Sequence, residues 1–478
     1  MAETKQNVIL FPFMAQGHII PFLALALHIQ KTRKNCTITF VNTPLNIKKL
    51  RSSLPKSSSI NFVEIPFNSS LHGLPPDSEN CDALPYSLII QLLRASASLK
   101  PAFRELINDL IYRNNGADAP LCIIADIFFG WTAGVAQEFN VFHAIFSGAG
   151  GFGLACYYSV WRNLPHKKGE SEDFLLPDFE EAGKIQKTQL ALSMLQADGS
   201  DPWSLFQGGN LPEYVNSNGI LFNTVKEFDK LGLKYFNRKL NRPVWAIGPI
   251  LLSLDNRAQA GKDKESGISS EFCKECLSHM KELAMALEAS EKNFIWVVRP
   301  PIGFDINSEF RGQEWLPEGF EERVILGSKR GLLVKKWAPQ VEILSHKAIG
   351  GFLSHCGWNS VLEALIHGVP ILGWPMAAEQ FFNVKFLEEE MGICVEVARG
   401  KTCELRHEDI EAKIEMVMSV KSKKGIEIRR NVGKVREMIK NAMRDEEYKG
   451  SSVKAMDEFF NAALSMKEKN KRKLINGA

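Results

Sequence analysis

Short runs rich in Val, Ile and Phe alternate along this chain with longer stretches in which apolar residues recur every three or four positions. The first pattern suits buried strands and the second suits amphipathic helices, so together they predict a parallel α/β sheet. Asn7 to Phe11, TITFVN, INFVEIP, LCIIAD, HAIFS and GILFNT read as strands, and VWAIGP closes this set near Pro249. Between the first strand and a helix over 21–30 lies a loop, FMAQGHIIP. A second set follows: a helix MKELAMALEAS, then FIWVV, GLLVKKW, GGFLSH, PILGWP and ICVEV, again with helices between. Helical patterns over 407–419, 423–444 and 452–467 finish the chain, and the tail MKEKNKRKLINGA reads as a solvated, disordered basic end.

The two sets are separated by LSLDNRAQAGKDKESGISS, whose Gly, Ser, Lys and Asp content predicts a flexible linker. The expected organisation is therefore an amino-terminal domain over 1–250, a linker over 251–278, a second α/β domain over 279–450, and a final helix and tail over 451–478. Two similar halves on one linker imply a cleft between them.

Composition narrows the partners. At 478 residues the chain exceeds what one core holds, and a net charge of +3 argues for neither nucleic acid nor an acidic partner. Nine cysteines, odd in number and partly inside apolar runs, indicate reduced thiols and a cytoplasmic protein. Cys273 and Cys276 form the single CxxC, which without a second pair reads as ordinary cysteines more readily than as half a zinc site. The apolar start, VILFPFMAQGHIIPFLALALHI, is interrupted by Gln16, Gly17 and His18, so it reads as strand, loop and helix and not as a signal peptide. No run reaches the roughly 18 apolar residues of a membrane helix.

The chemistry concentrates between Trp337 and Gln380, WAPQVEILSHKAIGGFLSHCGWNSVLEALIHGVPILGWPMAAEQ. Here GGFLSH reads as a strand and Asn359 to His367 as a helix capped by Asn359 and Ser360, which puts His355, Cys356 and Gly357 in the turn between. The unsatisfied N–H groups and positive dipole of a helix start hold a diphosphate, with His355, Asn359 and Ser360 adding donors. Trp337 and Trp374 end the flanking strands, where an indole can stack on a base. Taken singly, Trp358 or Trp374 reads more readily as a core aromatic, and only the ordered set points to a site. The Glu379–Gln380 pair can hold sugar hydroxyls.

Along its whole length this stretch resembles the signature box of the plant family 1 UDP-glycosyltransferases, and the two-domain pattern is similar over nearly the whole chain. The resemblance implies a fold of two Rossmann-like domains facing across a cleft, the GT-B type. It implies that Trp337 stacks on uracil, that Ala338 and Gln340 line the base and ribose site, and that Glu363 holds the ribose hydroxyls. His355, Gly357, Asn359 and Ser360 would take the diphosphate, and Trp358, Glu379 and Gln380 the sugar, the closing Gln favouring glucose. By the same resemblance His18 is the catalytic base, Asp126 its partner, and Ser147 a donor contact. From residue types alone, His18 and Asp126 are simply a loop histidine and a strand-end carboxylate at one sheet edge.

The implied reaction is inverting transfer of glucose from UDP-glucose to a hydroxyl of a small apolar or phenolic acceptor, giving a β-glucoside. It needs no metal or further cofactor, and the implied protein is a monomer. Phe13, Phe128, Phe129, Trp131, Phe146, Phe152, Trp203 and Phe206 are candidate acceptor walls, with more than half of them expected in the core. A competing reading, a dinucleotide-binding turn, rests on Gly148, Gly150 and Gly153 in GAGGFG, although no acidic residue ends a further strand about 20 residues on.

The chain also departs from the family. Where the family runs through a Trp-Leu-Asp segment, a buried strand and a Phe-Gly-Ser turn, Cys276 and Leu277 here run directly into Ser278, His279 and Met280. The first strand of the second domain is then expected to be absent, which would make the chain a poorly folding, slow or merely binding relative.

Overall fold

The computed structural model describes residues 5–54, 58–113, 118–252, 273–298, 310–335, 338–400 and 403–476. Most of the expected linker lies outside the described residues. The chain divides into two compact units, one of residues 1–81, 87–260 and 438–478, the other of residues 82–86 and 261–437.

The first unit holds one seven-stranded parallel sheet. Its strands are β1 (Gln6–Phe11), β2 (Cys36–Asn42), β3 (Asn61–Glu64), β4 (Pro120–Asp126), β5 (Phe142–Ser147), β8 (Gly219–Phe222) and β9 (Val244–Ala246), in the order β3-β2-β1-β4-β5-β8-β9. A small hairpin, β6 (Asp173–Leu175) with β7 (Lys184–Gln186), stands apart. Every residue of β4 and β5 is buried, as in a sheet covered on both faces. Because β1 pairs with β2 on one side and β4 on the other, the strand order reverses between β1 and β4. The carboxyl ends of those two strands form the crevice where such sheets bind ligands.

Two helices seal this sheet. Gln16–Thr32 buries Ile19, Phe22, Leu23, Leu25 and Ile29. It begins five residues before the expected start, so His18 belongs to its first turn and not to a loop. The helix Ser451–Asn476 brings Phe459 against Phe142 and Trp245, at 5.8 and 5.4 Å between ring centres. It is helical through most of the tail expected to be disordered, and the Lys467 ammonium donates to the Gln6 side chain at 2.9 Å.

The second unit is built differently. Its parallel strands fall into a pair, β10 (Phe294–Val297) with β11 (Gly331–Val334), and a triplet, β12 (Phe352–Ser354), β13 (Ile371–Gly373) and β14 (Cys394–Glu396). Among the described residues no ladder joins the pair to the triplet. On one face of the pair Phe294, Trp296 and Leu333 pack on a cluster around Ala284, Trp315 and Phe320. On the other, Ile295, Val297 and Leu332 are 43%, 42% and 54% exposed.

Candidate functional site

The expected site residues fall mainly into two constellations, one in each unit. In the first unit, His18 leaves the first turn of the helix after β1, and Asp126 is the last residue of β4. The switch between those strands brings residues 108 apart in sequence together, with His18 Nδ1 2.9 Å from Asp126 Oδ2. The carboxylate is buried, and its other oxygen accepts from the Phe128 amide at 3.0 Å. A donor on each oxygen holds it in one orientation. A carboxylate on Nδ1 fixes the tautomer that carries the proton there, which makes Nε2 the basic nitrogen. Phe13 and Phe128 flank the imidazole at 5.6 and 5.1 Å between ring centres.

In the second unit, the chain turns from β12 into the helix Trp358–His367. Gly357 is the N-cap, and neither Asn359 nor Ser360 caps the helix as expected; both lie within its first turn. Cys356 takes a left-handed φ of 60°, held by its amide donating to Ser354 Oγ at 3.1 Å. A side chain on Gly357 would meet the His355 ring, since an added Cβ would lie 2.5 Å from Nε2. Glycine there lets the exposed His355 lie across the helix start. Gln340 donates to Glu363 at 2.8 Å and to Ser360 Oγ at 3.2 Å, gathering three expected donor-site residues into one cluster in which Glu363 is buried. Ala338 is buried beside it in sequence, whereas Trp337 lies outside the described residues.

Glu379 and Gln380 open the helix Gln380–Lys385, after Ala378 at a φ of 51°. The Gln380 carbonyl oxygen accepts from the Met376 and Ala377 amides at 2.9 and 3.0 Å, which leaves its NH2 as the donor end. A residue that sequence reasoning missed connects this turn to the previous one. Asn383 is fully buried, and its Nδ2 donates to the Cys356 carbonyl at 3.0 Å and to Glu379 Oε1 at 3.4 Å. The sequence signal was its place one helical turn beyond Glu379, on the same face.

Other expectations change. Trp374 is buried and its indole N–H donates to the Gly400 carbonyl at 2.9 Å, so it is a core aromatic and not a stacking platform. Trp358 is buried against Phe386 and presents its backbone, not its indole, at the helix start. Ser147 is buried in a local turn with Ala149, its hydroxyl 3.2 Å from both the amide and the carbonyl. Of the candidate acceptor walls, Phe13, Phe129, Phe146 and Phe152 are core, while Phe128, Trp131, Trp203 and Phe206 are half-buried.

The dinucleotide reading of GAGGFG fails. The helix beginning at Gly151 has its first two N–H groups taken by the Asp229 carboxylate, at 2.6 and 2.9 Å. Burial pushes that carboxyl up to about 7. Gly151 serves close packing, because an added Cβ on Gly232 would lie 2.0 Å from its backbone. Among the described residues, no three His, Cys, Asp or Glu side chains gather as a metal site, seven cysteines are free, and no helix is long and apolar enough to cross a membrane.

The sequence model of the family described as UDP-glucoronosyl and UDP-glucosyl transferase matches residues 268–432. The chain is 52% identical to UDP-glycosyltransferase 92A1 of Arabidopsis thaliana over 493 residues, covering 98% of this chain and 100% of that one. It is 40% identical to crocetin glucosyltransferase 3 of Crocus sativus, over 86% and 90% of the two chains. Among solved structures, a Medicago truncatula UDP-glycosyltransferase complexed with UDP-glucose superposes with a TM-score of 0.75 at 23% identity, over 97% and 99%. A Glycyrrhiza uralensis relative reaches 0.79 at 24% identity, over 99% of each chain. Full-length similarity at this level, carried on a GT-B fold, makes this chain a member of the plant UDP-glycosyltransferases.

Proposed function

We propose that the enzyme transfers glucose from UDP-glucose to a hydroxyl of a small apolar or phenolic acceptor by a single inverting displacement, acting as a cytoplasmic monomer. The observation that carries the reading is the 2.9 Å contact between His18 Nδ1 and the buried Asp126 carboxylate. His18 Nε2 takes the acceptor proton as its oxygen attacks the anomeric carbon, the C1–O bond to UDP breaks, and Asp126 stabilises the imidazolium. The leaving diphosphate is met by the fixed donors at the start of the helix Trp358–His367, with His355, Asn359 and Ser360. Trp337, Ala338, Gln340 and Glu363 form the uridine end, and Glu379 and Gln380 the glucose end, with Ser147 and Trp358 in supporting places. Names among the relatives, crocetin glucosyltransferase and a flavonoid 3-O-glucosyltransferase, support glucose as the sugar and a small acceptor. The test is transfer from UDP-glucose to a panel of phenols and terpenoid alcohols, with the anomeric configuration of the product read by NMR. An α-linked product would sink the single displacement.

A second reading, a catalytically impaired relative that binds acceptor or nucleotide only, is favoured by one observation, that among the described residues the strands of the second unit stand in two separate sheets. The alignment with the Arabidopsis relative runs over 493 residues, longer than the 478 of this chain, so the relative carries residues that this chain lacks. Grafting the relative's segment between Leu277 and Ser278 should raise both melting temperature and turnover if that reading holds. No gain in either leaves the chain a competent enzyme as it stands.

A further inference from the structure

The first unit contains a cavity of about 620 Å³ walled by the helix Tyr86–Ala95, by His72 and by Pro202. From that helix Ser87, Ile90, Gln91, Arg94 and Ala95 line it, spaced i, i+3, i+4, i+7 and i+8, so a single helical face looks into the cavity while Leu92 and Leu93 are buried on the other side. Gln91 donates to the His72 carbonyl, and the left-handed Gly73 makes room for it, since an added Cβ would lie 2.7 Å from Gln91 Nε2. His72 in turn stacks on Phe67 at 5.6 Å between ring centres. The wall is built and held in place.

The same elements frame the catalytic pair. The loop bearing His72 is pinned by the Cys81 amide donating to the Met14 carbonyl at 2.9 Å, four residues before His18. Pro202 opens the helix Pro202–Asn210, whose Phe206 packs on Phe128, which packs on His18.

The charge of this wall has one sign. Arg94 is exposed and, among the described residues, has no acidic partner. The nearest carboxylate in sequence to the Pro202 wall, Asp201, is committed to its own helix, accepting from the Trp203 and Ser204 amides at 2.9 and 3.0 Å and from the Asp198 amide at 3.0 Å. Ser87 and Gln91 add neutral donors. A guanidinium in a concave, partly apolar wall matches a carboxylate, which it can hold with two parallel N–H bonds.

We infer that this cavity takes an acceptor bearing a carboxylate, with Arg94 as the residue that selects it. The inference deepens the glucosyl-transfer reading, because it names the acceptor class for that reaction. Calorimetric binding without donor keeps the two separable. Hydroxyl-bearing aromatic and terpenoid acids are titrated against their methyl esters, into wild type, Arg94→Gln and Arg94→Lys. The acids are expected to bind wild type roughly 10- to 100-fold tighter than their esters, the range of a hydrogen-bonded charge. Arg94→Gln should lose that margin and leave ester binding and melting temperature unchanged, and Arg94→Lys should keep part of it. Equal binding of acid and ester, no binding of either, or an equal loss on both with Arg94→Gln overturns the inference. Transfer assays on the same pairs test the reaction itself, so an acid bound by Arg94 but never glucosylated would overturn the reading and leave the site.

Discussion

The two units solve the same problem, a parallel sheet between helices, with unequal success. In the first, β1 has a partner on each side and its Val8, Ile9, Leu10 and Phe11 are fully buried. In the second, β10 pairs among the described residues with β11 alone, and alternate residues Ile295 and Val297 remain over 40% exposed. The sequence does not explain the difference, since β10, FIWV, is wholly apolar and β1 carries Gln6 and Asn7. What differs is the neighbour: a strand without one leaves backbone donors unpaired and one face uncovered, and each unpaired group costs about 1–3 kcal/mol where it is buried. His18 and Asp126, the proposed acid–base pair, rest on the firm sheet, and the expected donor site rests on the divided one.

The largest expected effect tests that division of labour. His18→Ala should lower kcat by about 10²–10⁴-fold, the range of a lost general base, while UDP affinity measured by calorimetry stays at the wild-type value. A parallel loss of UDP affinity would mean that the two functions are not carried separately. Next in size is a pair of strand substitutions, one buried and one exposed, followed by chemical denaturation. Ile123→Ala, at a fully buried position in β4, should cost about 2–5 kcal/mol, and Ile295→Ala under about 1 kcal/mol. Equal costs would show that the exposed face of β10 is covered in solution.

A smaller effect sharpens the role of the second unit. Asn383→Leu keeps the volume but removes the bond that holds the left-handed Cys356 and its link to Glu379. It should weaken UDP-glucose binding by about tenfold, corresponding to roughly 1.4 kcal/mol, with acceptor binding unchanged. Unchanged donor affinity would remove Asn383 from the site.

The smallest, per unit of change, is a pH effect in the first unit. His143 is buried, with Thr132 Oγ1 and Ser217 Oγ at 2.9 and 3.0 Å from its two ring nitrogens, and burial pushes it down to about 3. Its folded value lies below the unfolded value of about 6.5, so the unfolded chain binds the proton first. The stability it contributes is present above pH 6.5 and is lost as the pH falls from there toward 3, by about 1.4 kcal/mol per pH unit. His143→Gln should flatten the slope of unfolding free energy against pH in that window. An unchanged slope would place the proton uptake elsewhere.

Much of the site was legible because its residue types have few other uses. A strand, a Gly-containing turn and a helix at 350–367 imply an anion site by backbone chemistry alone, and the structure has that turn. The misreadings share a cause. Trp374 suited either a stacking platform or a core, and only its burial and its bond to Gly400 decided it. The helix was expected over 21–30 from its apolar face, but Ala15 accepts the first helical bonds, from His18 and Ile19, and the helix starts at Gln16. Asn383 escaped notice because its one sequence signal, a place one helical turn beyond Glu379, gains meaning only when the Cys356 carbonyl arrives from another turn.

What the sequence determined by itself was local: which segments are strands, which are helices, and where a helix start follows a strand. Those follow from periodicity and backbone sterics, which act over a few residues. What only the tertiary structure decided was contact across the chain. It joined His18 to Asp126 across 108 residues and Asn383 to Cys356 across 27, and among the described residues it left β10 and β12 in separate sheets. Such contacts depend on strand order and on the burial that a neighbour supplies, and neither is written in the residues of any one segment.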